Sequence, residues 1–167
     1  ALVIGAGEMS ELTIKHLLSS GFDVVLTSRD LKKAQNLAAT FLKETTRAQE
    51  TKIDVESYSE LTNLLARIPV MITATSAPYP IITKENAPSA SIDRYWFDIA
   101  VPRDIDENIS LSGLEIFSVD DLQDIVNENM SLRAEQAKTA YGIVSRMSVE
   151  FFEWLKSLEI EPIVKHL

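Results

Sequence analysis

The sequence predicts an α/β fold: a doubly wound, mostly parallel sheet followed by a long C-terminal α-helix. Three observations carry this prediction. Short β-rich runs alternate with helical patterns along the first two thirds of the chain. Two of the runs, Val24–Leu26 and Val70–Ile72, are continuously apolar, as strands buried on both faces of a parallel sheet are. From Asp120 to Ser157 there is no Pro and a single Gly. Alternating strands and helices with short connections are typical of a doubly wound sheet.

Six strands and the helices between them are predicted in chain order. The strand-like runs are Leu2–Ile4, Phe22–Thr27, Lys52–Val55, Val70–Thr75, Tyr95–Val101 and Leu114–Ser118. The helical patterns between them cover Glu8–Ser20, Asp30–Lys43, Tyr58–Ile68 and, very briefly, Lys84–Ala87. Residues 1–119 are therefore assigned to one α/β domain and residues 120–167 to the long helix. Because the chain opens inside a strand, we expect it to be a fragment of a longer protein.

The long C-terminal helix carries a heptad pattern. Two interleaved sets of residues stand seven apart: Ala137, Val144, Phe151 and Leu158, and then Ala140, Met147 and Trp154. This is the spacing of a coiled-coil seam over about three heptads. At ~1.5 Å per residue the helix would be about 55 Å long. The pattern predicts a rod that joins other domains or a second subunit; the alternative is an amphipathic helix folded back on its own domain.

Composition excludes several classes of protein and site. With 46% apolar residues the chain can build a core and is not intrinsically disordered. It has no Cys, which excludes disulfides, thiolate metal sites and a thiol nucleophile within this chain. Its two histidines, His16 and His166, are far apart and predict no metal site. The net charge of −9 argues against binding to a phosphate backbone, and no apolar run is long enough to span a bilayer. We expect a cytoplasmic protein without a membrane partner.

The first chemical motif directly follows the first strand and opens a helix. It reads Gly5, Ala6, Gly7, Glu8, Met9 and Ser10. Gly5 allows a tight turn, and Gly7 lets the backbone approach a pyrophosphate without a Cβ in the way. A helix N-terminus offers free N–H groups to phosphate, and Ser10 supplies the small residue that keeps helix and strand close. The motif predicts a dinucleotide site, with a ligand-free structural turn as the alternative.

The end of the second strand indicates which dinucleotide binds. A site specific for NAD places Asp or Glu here to hold the ribose 2′-hydroxyl, whereas this strand ends at Ser28 and Arg29. Asp30 is expected to cap the next helix instead. Ser28 can donate a hydrogen bond and Arg29 can pair with a 2′-phosphate, with Lys32 and Lys33 one helical turn on. These residues predict NADP(H) rather than NAD(H); an ordinary surface arginine is the alternative.

Small hydroxyl residues follow the fourth strand. The stretch from Thr73 to Pro78 contains Thr75 and Ser76 at the edge of the sheet where ligands of open α/β sheets bind. Such residues leave room for a ribose and can hydrogen-bond it, although the pattern also suits an ordinary loop.

A carboxylate lies inside the apolar fifth strand. Asp98, two residues before Ala100, must be paired or hydrogen-bonded there because burying a lone charge is costly. It is expected either to anchor a neighbouring loop or to lie near the nicotinamide end of the cofactor. Arg103 and Asp104 are expected to pair with each other or to face solvent.

With these motifs in hand, the sequence resembles the NADPH-binding domain of the glutamyl-tRNA reductase family together with the start of its long C-terminal helix. The stretches that carry the resemblance are Val3–Leu17, Thr27–Ala38, Thr73–Glu85, Asp98–Asp106, Val119–Asn129 and Glu150–Leu167. The most specific of them reads DIAVPRDID and is followed by VDDLQ. The resemblance implies that Gly5 to Ser10 hold the pyrophosphate, that Ser28 and Arg29 hold the 2′-phosphate, and that Thr75, Ser76 and Pro78 face the nicotinamide ribose.

The resemblance also implies an activity for the longer protein. The family reduces glutamyl-tRNA with NADPH to glutamate-1-semialdehyde, the committed step of tetrapyrrole (porphyrin and haem) biosynthesis. A cysteine thiolate attacks the aminoacyl ester, and hydride from NADPH releases the aldehyde from the resulting thioester. That cysteine belongs to a separate amino-terminal domain, so this chain is expected to carry no catalytic residue and to be inactive alone. The family further implies a homodimer formed through the long helix and glutamate-1-semialdehyde aminomutase as a partner protein.

Two other functions remain open at the level of sequence. One is the NADP-binding domain of a shikimate dehydrogenase-type oxidoreductase, whose acid and base residues lie on a separate domain. The other is a non-enzymatic NAD(P)-sensing module that signals through its helix.

Overall fold

The computed structural model describes residues 1–44 and 51–164 and contains a six-stranded parallel sheet within them. The strands are β1 (Leu2–Ile4), β2 (Val24–Ser28), β3 (Ile53–Ser57), β4 (Val70–Thr73), β5 (Arg94–Asp98) and β6 (Leu114–Ser118). They lie side by side in the order β3-β2-β1-β4-β5-β6, and every neighbouring pair is parallel. The predicted doubly wound α/β fold is confirmed. His166 lies outside the described residues.

Four helices follow the strands within the described residues. They are α1 (Glu8–Ser19), α2 (Leu31–Glu44), α3 (Leu61–Arg67), which continues a 3₁₀ turn over Tyr58–Glu60, and α4 (Val119–Val164). The chain divides into two compact units, Ala1–Leu122 and Gln123–Leu167.

The short helix predicted at Lys84–Ala87 is wrong, because this segment forms only a turn. The side-chain oxygen of Asn86 accepts the backbone N–H of Thr83 at 2.8 Å, and the N–H of Ala87 bonds the Thr83 carbonyl at 2.9 Å. Pro88 follows at once, and a residue before proline is disfavoured in helical conformation. The turn therefore closes on itself and cannot extend.

The two faces of the sheet bury different sets of side chains because successive strand residues point to opposite faces. On one face, the layer over the sheet centres on Trp96 and on Leu64 and Leu65 of α3. On the other, α1 and α2 cover Val3 and Leu26. Burying each such large apolar side chain contributes ~1.5–3 kcal/mol. This layered core fixes β1, β2 and β4 rigidly, so that the loops leaving them have defined positions.

The strand order changes direction between β1 and β4, since β2 and β3 lie on one side and β5 and β6 on the other. In open parallel sheets this reversal opens a crevice outside the carboxyl ends of the strands. Backbone hydrogen bonds extend the sheet into the crevice: Gly5 N–H donates to the Thr27 carbonyl at 2.9 Å, and Ala74 N–H to the Ile4 carbonyl at 3.0 Å.

Helix α4 begins at a cap formed by Asp121 and presents apolar side chains along its length. Asp121 accepts both the backbone N–H and the hydroxyl of Ser118, at 2.7 and 2.6 Å. These bonds satisfy groups that a helix start otherwise leaves unpaired, and they lower the pKa of Asp121. Four residues of the predicted seam are each more than half exposed: Val144, Met147, Phe151 and Trp154.

No helix of residues 1–44 and 51–164 is long and apolar enough to cross a membrane. In the same part of the chain, no three His, Cys, Asp or Glu side chains are grouped so that they could hold a metal ion.

Candidate functional site

A cleft of about 630 Å³ opens at the carboxyl ends of the strands at this reversal. Its volume lies in the range of sites that take small organic molecules. It is lined by the turn after β1, by the residues that follow β2 and by the residues that follow β4, together with side chains that sequence reasoning had not singled out. The lining residues are Ile4, Gly5, Ala6, Gly7, Glu8, Met9, Ser28, Arg29, Asp30, Lys33, Tyr58, Ala74, Thr75, Ser76 and Ile81.

The glycine turn, residues Gly5–Gly7, forms the floor of the cleft. Gly5 has φ +119°, a conformation that side chains disfavour, and a Cβ on it would lie 2.5 Å from the Ala74 carbonyl oxygen. Two constraints, backbone conformation and close approach, therefore require glycine here. The hydroxyl of Ser10 packs beneath this contact and donates to the same carbonyl at 3.4 Å. Fully buried Ser10 thus supports the turn from below and does not line the cleft.

Gly7 serves a different purpose, because a Cβ on it would meet no atom within 4 Å. Gly7 is the N-cap of α1, and no side chain caps the helix. The N–H groups of the first turn are therefore left to water or to a ligand, and the positive end of the helix dipole lies at the cleft. Open space above unpaired N–H groups is what a phosphate requires.

The β2 edge of the cleft, residues Ser28–Lys33, carries positive charge. Asp30 caps α2 by accepting the N–H of Lys33 at 3.0 Å, as the sequence predicts. Ser28 Oγ accepts the N–H of Asp30 at 3.3 Å, which leaves the hydroxyl proton available to an outside acceptor. Arg29 is exposed and makes no ion pair with any residue in the described ranges. Lys33 lines the cleft, whereas its neighbour Lys32 does not.

The β4 wall of the cleft, residues Ala74–Ser76, is held by a carboxylate. Asp104 is fully buried and accepts hydrogen bonds from the hydroxyls of Thr73 and Thr75 and from the Thr75 N–H at 2.9 Å. The expectation that Arg103 and Asp104 pair with each other or face solvent is therefore wrong for Asp104, whereas Arg103 is exposed. Arg103 instead lies 3.5 Å from Asp120. Only the strand register reveals the role of Asp104, because its partners lie about 30 positions earlier in the chain.

Asp98 anchors the loop that delivers Asp104. One of its oxygens accepts the N–H of Ala100 at 3.1 Å, and the other accepts those of Asp104 and Ile105, each at 2.9 Å. Burial raises the pKa of Asp98, and the three N–H donors oppose that rise by stabilising the ionised form. Asp98 and Ala100 do not line the cleft; Asp98 borders a second cavity of about 320 Å³ beside β5 and β6. Of the two roles expected for Asp98, the structure provides the anchor.

Sequence reasoning missed Tyr58 as a lining residue. It directly follows β3 and is half-buried against the core while it borders the cleft. Burial raises the pKa of its phenol, and the nearby charge of Arg29 acts in the opposite direction. Its position just after a strand was the available signal, since the carboxyl ends of all parallel strands meet at one edge. Pro78, which was expected at this site, is exposed and lies outside the lining.

The cleft therefore offers three kinds of group in one row: positive charge and a free hydroxyl at the β2 edge, unpaired N–H groups at its centre, and small hydroxyl residues at the β4 wall. This arrangement can bind an elongated ligand with phosphate near its middle and a further phosphate at one end. No side chain of the lining is a thiol or an imidazole.

Comparison of the sequence with known proteins gives one family and a set of close relatives. The family model described as shikimate / quinate 5-dehydrogenase matches residues 1–125. A glutamyl-tRNA reductase of Aliarcobacter butzleri (strain RM4018) is 78% identical over 167 residues, all of this chain and 37% of the relative. One from Wolinella succinogenes is 47% identical over 165 residues, 99% of this chain and 36% of the relative. The chain thus spans little more than a third of the curated relatives that it matches.

Solved structures give the same fold. A glutamyl-tRNA reductase from Methanopyrus kandleri superimposes with a TM-score of 0.69 at 29% identity, over 83% of this chain and 34% of that one. The nucleotide binding domain of the glutamyl-tRNA reductase from Thermoplasma volcanium gives a TM-score of 0.61 at 18% identity. That match covers 80% of this chain and 84% of the other, and it supports the fold alone.

Proposed function

Because the chain belongs to the shikimate / quinate 5-dehydrogenase family and is similar to glutamyl-tRNA reductases over its whole length, we propose that it forms the NADPH-binding part of a glutamyl-tRNA reductase. The observation that carries the proposal is the single cleft that joins the glycine turn to the positive β2 edge. The chain would bind and orient NADPH for a reaction completed by residues outside these 167.

The proposed reaction reduces glutamyl-tRNA to glutamate-1-semialdehyde, a precursor of tetrapyrroles. NADPH supplies the hydride when bound. The chain has no Cys, so the thiolate that would accept the glutamyl group must come from another part of the protein. The contribution of this chain is to fix the cofactor at the carboxyl edge of its sheet, where a second domain can reach it. Alone, it should bind the cofactor without turning over substrate.

The proposed binding mode follows from the geometry of the cleft. The unpaired N–H groups above Gly7 would receive the pyrophosphate, since a backbone without Cβ faces open space there. The free hydroxyl proton of Ser28 and the guanidinium of Arg29 would receive the 2′-phosphate. Thr75 and Ser76 would then adjoin the second ribose. Of the two lysines predicted to assist, we assign the charge to Lys33, which borders the cleft, and not to Lys32.

The family description also fits a shikimate dehydrogenase, but the relatives favour the reductase. The family model ends at residue 125, whereas the matches to glutamyl-tRNA reductases continue through the C-terminal helix to the last residues of the chain. A nucleotide-binding domain is common to both activities; the long helix is the part that separates them.

Association through α4 is part of the proposal. Apolar side chains at seam spacing along α4, Val144, Met147, Phe151 and Trp154, are each more than half exposed. Exposed large apolar side chains repeated at this spacing are typical of a helix–helix interface. We assign it to a homodimer, and propose glutamyl-tRNA and the aminomutase that consumes the aldehyde as partners of the longer protein. A cytoplasmic location suits a chain without cysteine.

Titration with reduced dinucleotides tests the cofactor assignment. The chain should bind NADPH at least about tenfold more tightly than NADH, because a charge-assisted hydrogen bond to the 2′-phosphate contributes ~1.5–3 kcal/mol. Arg29→Ala should remove most of this preference by weakening NADPH and leaving NADH unchanged. The change in nicotinamide fluorescence on binding reports both affinities.

Arg67→Ala is the matched control, since Arg67 is also exposed but lies at the end of α3, 4.0 Å from Glu56 and away from the cleft lining. It should leave both affinities as they are. Equal binding of NADPH and NADH by the unaltered chain would contradict the 2′-phosphate assignment, and failure of both to bind at millimolar concentration would contradict the proposed function.

A further inference from the structure

Asp104 does not line the cleft, yet its side chain and backbone together make six hydrogen bonds beside it. Its carboxylate accepts three donors, from Thr73 and Thr75. Its own N–H donates to Asp98 at 2.9 Å, and its carbonyl accepts the N–H groups of Ile81 and Ile82 at 2.7 and 3.0 Å. A fully buried residue with six such bonds ties three segments of chain into one rigid unit.

The unit that Asp104 ties together includes the β4 wall. The wall leaves the sheet beside the glycine turn, where the Ala74 carbonyl lies against Gly5 so closely that no Cβ could fit between them. Asp104 holds the next residue, Thr75, from the other side. Two interactions therefore set the width of the cleft at this end: the contact of the Ala74 carbonyl with Gly5, and the hydrogen bonds of Thr75 to the Asp104 carboxylate.

The hydrogen bonds also determine which groups the wall offers to a ligand. Both donors of Thr75, its N–H and its hydroxyl, are committed to Asp104, and its hydroxyl oxygen accepts the Ala77 N–H at 3.2 Å. Ser76 is exposed, and its hydroxyl makes no hydrogen bond to any residue within 1–44 or 51–164. Asp104 thus turns the donors of Thr75 away from the cleft and leaves Ser76 as the hydroxyl that faces it.

We propose that Asp104 is a positioning residue that holds the β4 wall in place for the nicotinamide ribose of NADPH. The proposal rests on the proposed function and assigns a cause to the shape of that part of the site. The strand order identifies the half of the ligand concerned. Because the positive β2 edge lies on one side of the glycine turn and the β4 wall on the other, a pyrophosphate held at the turn directs its two ribose halves to opposite sides.

The substitution Asp104→Asn tests this role. An amide offers one oxygen and one NH₂ group in place of the two carboxylate oxygens. One threonine hydroxyl must therefore reverse and accept from the NH₂ group, and all three bonds lose the strength that the carboxylate charge gives them. We expect NADPH to bind about tenfold more weakly. The fragment 2′,5′-ADP, which lacks the nicotinamide half, should bind the variant and the unaltered chain equally well.

Asp106→Asn is the matched control. Asp106 is the next-but-one residue and caps the backbone of Asn108 at 2.8 Å, but it lies outside the cleft lining. It should change neither affinity. Equal weakening of NADPH and 2′,5′-ADP by Asp104→Asn would show general damage and overturn the positioning role, as would unchanged binding of both.

A double-substitution cycle with Thr75→Val shows whether Asp104 acts through the wall. Thr75→Val alone should weaken NADPH and spare 2′,5′-ADP, and adding Asp104→Asn should then weaken NADPH by less than about threefold more, because coupled residues are not additive. Full additivity overturns the proposal even if Asp104→Asn alone folds poorly. If the unaltered chain binds neither ligand, it is the proposed function that fails, which separates the two conclusions.

Discussion

The two sides of the cleft are built in opposite ways. At the β2 edge, Arg29 is exposed and free of ion pairs within the described ranges, and local hydrogen bonds around Asp30 order the residues that follow the strand. At the β4 wall, the backbone and the side chain of Thr75 are bound by Asp104, which Asp98 holds in turn. The β2 edge therefore offers an exposed charge that few contacts hold in place. The β4 wall offers a backbone surface that a buried polar network holds in position.

This difference separates recognition from stability. Removing an exposed charge leaves nothing buried without a partner, so changes at the β2 edge should alter ligand preference and leave the fold intact. Removing a buried acceptor leaves donors unsatisfied, so changes behind the β4 wall should reduce the free energy of unfolding. The glycine turn lies between the two sides. Gly5 is required by the packing of the turn, whereas Gly7 faces the open space of the cleft.

The largest effect is expected at the centre of the cleft. Gly5→Ala places a Cβ 2.5 Å from the Ala74 carbonyl oxygen in a backbone conformation that alanine disfavours. Since the atom in the way is backbone, the β4 wall itself would have to move. We expect the free energy of unfolding, measured by urea denaturation, to fall by about 3 kcal/mol.

Gly7→Ala is the matched control within the same turn. Its Cβ would meet no atom within 4 Å, so the free energy of unfolding should change by less than about 1 kcal/mol, the scale of an altered helix N-cap. NADPH binding should nevertheless weaken, because the methyl group occupies the space above the helix N-terminus. If both substitutions were equally destabilising, the distinction between a structural and a ligand-facing glycine would be lost.

The sequence predicted most of the sheet and one side of the cleft because those features are local. Apolar runs such as Val70–Ile72 mark buried strands, and the glycine turn and Arg29 act through their own position along the chain. Strand ends in parallel sheets share one edge, so naming the residues after β1, β2 and β4 was enough to predict that they lie near one another.

The polar network behind the β4 wall could not be predicted in the same way. Asp104 directly follows Arg103, and the sequence alone favours such a local pair of opposite charges. Its actual partners are set by the parallel register of β4 with β5, which places Thr73 opposite Asp98. The sequence also could not show which of the adjacent lysines Lys32 and Lys33 borders the cleft, because the helix geometry decides this.

A smaller loss of stability is expected at the anchor of the network. Asp98→Asn replaces two acceptor oxygens that bind three N–H groups by one oxygen and one donor. We expect the free energy of unfolding at neutral pH to fall by about 2 kcal/mol. Arg29→Ala, on the other side of the cleft, should change it by less than about 0.5 kcal/mol. An unchanged unfolding midpoint for Asp98→Asn would mean that the network does not support the fold.

The contribution of Asp98 to the free energy of unfolding is expected to depend on pH. Burial raises the pKa of Asp98 above its ordinary value of 3.8, so between the two values the folded state binds more proton than the unfolded state. In that window the contribution of Asp98 to stability decreases as the pH rises, and above the raised pKa it is constant. Asp98→Asn should remove this part of the pH dependence, which urea denaturation over the acidic range measures.

The smallest effect is expected for the salt dependence of ligand binding at the β2 edge. If the β2 edge acts through exposed charges, raising the salt concentration from about 0.05 to about 0.5 M should screen it and weaken NADPH binding a fewfold more than NADH binding. The difference isolates the 2′-phosphate, because the pyrophosphate is common to both ligands. Arg29→Ala should abolish the difference, whereas Asp104→Asn should leave it unchanged, since that residue acts through the shape of the opposite wall. A salt effect of equal size for NADPH and NADH would place the charge recognition at the glycine turn instead.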